Sequence, residues 1–86
     1  MSTTAKSYEL HACAMRTIST QIQALYDQAF TVMKQAEAAA ADPEAGLETR
    51  RAFEKLDVAC QALHGAHSYA EIAVQQSDFE AERRRK

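Results

Sequence analysis

Along the second half of the chain the core-type positions recur at alternating steps of three and four residues: Phe53, Leu56, Cys60, Leu63, His67, Ala70 and Val74. Beside this seam runs a column of alanines at every seventh position, Ala45, Ala52, Ala59, Ala66 and Ala73. A seven-residue apolar repeat is the pattern of helices packed side by side, and small side chains let a neighbouring backbone come close. The first half carries a similar repeat: Tyr8, His11, Met15, Ile18, Ile22, Leu25, Ala29, Val32, Ala36 and Ala39, flanked by Ala12, Tyr26, Met33 and Ala40. Between them lies Ala41-Asp42-Pro43-Glu44-Ala45-Gly46, the one stretch rich in helix-ending residues. The pattern predicts helix 1 over about 4–41, a turn over 42–46, helix 2 over about 47–83 and a basic tail over 83–86. Ser2, Thr3 and Thr4 supply N-caps for the first helix, Asp42 caps the second, and Pro43 suits its first position.

A connection this short makes the two helices antiparallel. Centring the turn near residues 44 and 45 sets Ala36 opposite Phe53, Val32 opposite Leu56, Ala29 opposite Cys60, Leu25 opposite Leu63, Ile18 opposite Ala70 and Met15 opposite Val74. Small side chains then oppose large ones, as core filling requires.

Helix 2 carries a second apolar row: Val58, Ala62, Gly65, Tyr69, Ile72 and Phe79. With the first seam and the alanine column it makes an apolar arc of roughly 220°, against about 100° for a helix that faces one neighbour. Helix 1 cannot cover it alone. A large uncovered apolar face on a small protein marks an interaction surface, and two-fold pairing is its most economical cover. The expected architecture is therefore all-α: a two-helix antiparallel hairpin, coiled-coil-like, dimerising into a four-helix bundle. Val58, Ala62, Tyr69, Ile72 and Phe79 carry the interface, with Phe30 and Tyr26 on helix 1 packing beneath the second subunit.

Composition agrees. The chain has 86 residues, two glycines, one proline and no tryptophan, and helix formers dominate it. One domain of this size buries only about 60–65% of the surface its unfolded chain exposes, which leaves a lone monomer marginal. The net charge is −2, and the last four residues are all basic, so the rest stands at −6. A body that acidic repels nucleic acid. The N-terminal stretch lacks the apolar segment of a signal peptide, and no apolar run approaches the ~20 residues of a membrane span. The expected location is cytoplasmic, where two cysteines remain thiols.

Candidate chemistry is thin. Cys60, His64, His67 and Glu71 lie on one strip of helix 2 and are all zinc-ligand types. Successive positions on a straight helix advance ~1.5 Å per residue, so no three of them form a cage, and the facing helix offers Gln21 and Gln28. Cys60 reads as a small core residue, with His64 and Glu71 at the rim and His67 at the core edge, bonded to Glu71. His11 and His67 interrupt the seams, where a polar residue can fix register or confer pH sensitivity. Cys13 points outward, far from Cys60 along the hairpin. No metal, cofactor or catalytic residue is assigned. The basic residues Arg83, Arg84, Arg85 and Lys86 have no aromatic residue among them for base stacking. The expected function is a non-enzymatic protein–protein interaction module, a small adaptor, regulator or chaperone whose partners are its own copy and another protein. Two alternatives stand: a nucleic-acid-binding regulator using the basic tail, and a secretion-type chaperone shielding a partner's helix.

Overall fold

The computed structural model describes residues 5–85. It consists of two helices that pack against each other, α1 (Ala5–Ala40) and α2 (Leu47–Arg85), with no strand among the described residues. The expected caps Ser2, Thr3 and Thr4, and Lys86 of the tail, lie outside the described residues. The chain divides into two compact units: Met1–Ile22 with Ala66–Lys86, and Gln23–Gly65. Neither described helix is long and apolar enough to cross a membrane.

The turn differs from expectation. Asp42 does not cap α2. Its Oδ1 accepts from the Glu44 N–H at 2.8 Å, and its carbonyl accepts from the Ala45 N–H at 2.9 Å. This is a β-turn with Asp first and Pro43 second, the positions each favours there. Helix α2 begins four residues after Pro43, and the Gly46 carbonyl accepts its first helical bond, from the Arg50 N–H at 3.3 Å. Gly46 is thus the N-cap. The turn won over the cap because Asp42 satisfies donors locally before a helix starts.

The seam of α2 is the one its sequence predicts. Cys60, Ala70, Ser77 and Ala81 are buried, and Phe53, Leu56, Leu63, His67 and Val74 are half-buried. The seam of α1 is so only in part: five of its ten positions and the flanking column are covered. Its buried residues are Ala12, Ser19 and Met33, with Tyr8, Met15, Ile22, Tyr26, Ala29, Ala36 and Ala40 half-buried. The predicted seam residues His11, Ile18, Leu25, Val32 and Ala39 are exposed. The column expected to flank the seam is in it, and half of the expected seam faces out. With α1 turned this way, Ile18, Leu25 and Val32 are 41–53% exposed, where the expected pairings had them in the core.

Candidate interaction surface

The polar edge of the first unit is built from pairs reaching between its two helical segments. Ser19, buried at 4% exposure, donates its hydroxyl to Glu71 at 2.5 Å. Arg16 pairs with Asp78, and Arg85 with Glu9 at 3.3 Å. The Arg84 guanidinium lies 5.3 Å from the centre of the Tyr8 ring, within cation–π range. Glu71 therefore serves Ser19, where the sequence reading had it serve His67. The cause is the same rotation of α1, which brings a hydroxyl into the seam beside the carboxylate. Because Ser19 is buried and bonded, Ser19→Ala is expected to lower stability by about 0.5–1.5 kcal/mol, read from the urea midpoint at unchanged m-value.

In the second unit, Tyr26 is half-buried, stacked on Phe30 (centroids 5.9 Å apart) and tilted against His64 at 6.0 Å. With Met33 and Cys60 these rings line an open groove of about 330 Å³, edged by Asp57 and Gln61. Met33 and Cys60 are buried; Phe30 remains exposed. Of the two helix-1 interface candidates, Tyr26 is thus engaged within its own unit, while Phe30 is open to a partner.

The remaining interface candidates are all exposed. In the first unit Tyr69 is 76% exposed and Phe79 66%, with Ile72 beside them. In the second unit Val58 is 60% exposed, and Ala62 is open as well. The structure adds residues that the sequence reading placed inside. Ile18 in the first unit, and Leu25 and Val32 in the second, stand at seven-residue intervals on α1 and are 41–53% exposed. Ala52, Ala59 and Ala66 of the alanine column are exposed and Ala73 is half-buried. The signal for the α1 row was its heptad spacing, which could not distinguish an inward column from the apolar column next to it.

Ile18, Leu25 and Val32 are already about half covered, and rotating α1 to bury them fully would expose Ala12, Tyr26 and Met33 in exchange. The exposed ion pairs that form in the observed rotation contribute at most about 1 kcal/mol each.

Among the described residues no group of three or more His, Cys, Asp or Glu is placed to hold a metal ion. Cys13 is exposed and Cys60 buried, both as free thiols. The tail arginines are engaged within the chain. Arg83 donates to Glu80 at 3.0 and 3.1 Å, Arg84 reaches Glu80 at 3.6 Å, and Arg85 donates to Glu82 at 2.9 Å as well as pairing with Glu9. Among known proteins, no family model, no curated protein and no solved structure matches the chain.

Proposed function

We propose that the chain is a non-enzymatic protein–protein interaction module that works as a homodimer, two hairpins forming a four-helix bundle in the cytoplasm. The observation that carries this reading is the exposure of large apolar side chains, in a chain whose buried core is a few small residues and Met33. A standard interface removes about 800 Å² from each partner. Large apolar side chains are exposed, Tyr69, Phe79 and Val58 among them, and no large side chain is fully buried among the described residues. A second copy supplies the missing cover, with Val58, Ala62, Tyr69, Ile72 and Phe79 on α2 and Phe30, Ile18, Leu25 and Val32 on α1 as the contact residues.

The assembled bundle would then act on another protein as adaptor, regulator or chaperone. Sedimentation equilibrium of the purified chain tests the proposal. The expected result is a dimer mass at micromolar concentration, with a melting temperature that rises with concentration. A well-folded, non-associating monomer at those concentrations would refute it.

A further inference from the structure

The second apolar row of α2 has a symmetry that points to how two copies meet. Within this one helix, Leu47–Arg85, the positions Arg51, Val58, Gly65, Ile72 and Phe79 are seven residues apart and so share a column. About Gly65 the column sets two β-branched apolar residues, Val58 and Ile72, seven residues to either side, and Arg51 and Phe79, a cation and a ring, at fourteen. Gly65 is unexplained within the chain. A methyl group built on it meets nothing within 4 Å, yet glycine inside a helix is less stable than alanine. Its neighbours Ala62 and Ala66 are small and exposed.

Resting on the homodimer reading above, we infer that the occupant of this row is α2 of a second copy, lying antiparallel with the two-fold axis at Gly65. Val58 then packs on the second copy's Ile72, and Ala62 on its Tyr69, small against large. The Arg51 guanidinium reaches the exposed Phe79 ring and the Glu80 carboxylate of the other helix. Charge selects this direction. A parallel, in-register pair would set Arg51 on Arg51, Lys55 on Lys55 and Glu80 on Glu80, like against like at every charged level. The antiparallel pair instead sets Arg50 and Arg51 level with Phe79 and Glu80, and Glu48 level with Glu82 and Arg83. The glycine lets the two backbones approach at the axis, which is the role the single chain leaves unfilled.

Two measurements test the inference in the full-length chain. The first is Gly65→Ala. It is expected to weaken dimerisation at least tenfold by sedimentation equilibrium; an unchanged or tighter dimer would overturn the placement of the axis, since alanine otherwise improves a helix. The second is disulfide trapping in a Cys13→Ser, Cys60→Ala background confirmed as a helical dimer. Gly65→Cys is expected to cross-link to itself, and a mixture of Val58→Cys and Ile72→Cys chains to give mainly the mixed product. Predominant Val58→Cys or Ile72→Cys homodimers would overturn the antiparallel direction while leaving the homodimer intact. A wild-type chain that is monomeric would remove both readings together.

Discussion

Replacing both Tyr69 and Ile72 by Asp is expected to abolish self-association, raising the dimer dissociation constant by more than a thousandfold. Both side chains stand exposed on the first unit, where the bundle would bury them. Each apolar side chain taken out of water contributes roughly 1.5–3 kcal/mol, and a two-fold interface counts every substitution twice. Carboxylates in a dry interface add a desolvation penalty on top. The sum exceeds the ~4 kcal/mol that a thousandfold change requires. If the dimer is what stabilises the fold, the double variant also loses helicity, so a milder variant accompanies it. Ile72→Ala should keep the helical signal at high concentration and lower the melting temperature most at low concentration. Thr20→Asp, at an exposed polar position of α1, serves as the control and should leave association unchanged. A double Asp variant that sediments as a fully helical dimer would defeat the interface assignment. In that case the exposed row would serve some other partner.

How much of this was legible beforehand differs between the two helices, for a physical reason. On α2 the inward seam of Phe53, Leu56, Cys60, Leu63 and Val74 stands beside Arg50, Asp57, Glu71 and Asp78 on one flank, and that polar flank fixes the helix's rotation. The structure buries or half-buries this seam as expected. On α1 two apolar columns adjoin, Ile18-Leu25-Val32 and Ala12-Tyr26-Met33, and hydrophobicity favours the first because its side chains are larger on average. The observed rotation favours the second, with Ser19 in it. The pairs Arg16–Asp78, Arg85–Glu9 and Ser19–Glu71 form in that rotation, and Met33 and Tyr26 are covered by it. Such pairs join residues distant in sequence, and no periodicity within one helix records them. The turn was misplaced for a related reason: Asp42-Pro43 is equally good at starting a helix and at starting a β-turn, and only the hydrogen bonds from Glu44 and Ala45 separate the two. The outward row of α2 was legible because it holds Val58, Tyr69, Ile72 and Phe79 far around the helix from the seam, where no rotation of α1 reaches them.

That rotation of α1 makes an experimental claim of its own, because it puts an alanine inside and a leucine outside. Ala12 has no exposed surface, while Leu10, two residues earlier, is 63% exposed. Ala12→Asp is therefore expected to be the most damaging single change in α1. It places a carboxylate in a packed seam, and an unpaired buried charge commonly costs 3–5 kcal/mol. Total stability for a domain this size is only about 5–10 kcal/mol, so the variant should be largely unfolded at 37 °C by circular dichroism. Leu10→Asp removes a far larger apolar side chain but one already in water, and should change stability by no more than about 1 kcal/mol, mostly through helix propensity. The seam read from sequence also leaves Leu10 outside, but it puts His11 inside and leaves Ala12 on the flank. Comparing the two variants by urea unfolding therefore measures the rotation of α1 directly. If Leu10→Asp proved the more destabilising, Ala12 would lie outside the seam and the phase of the whole first helix would have to be redrawn.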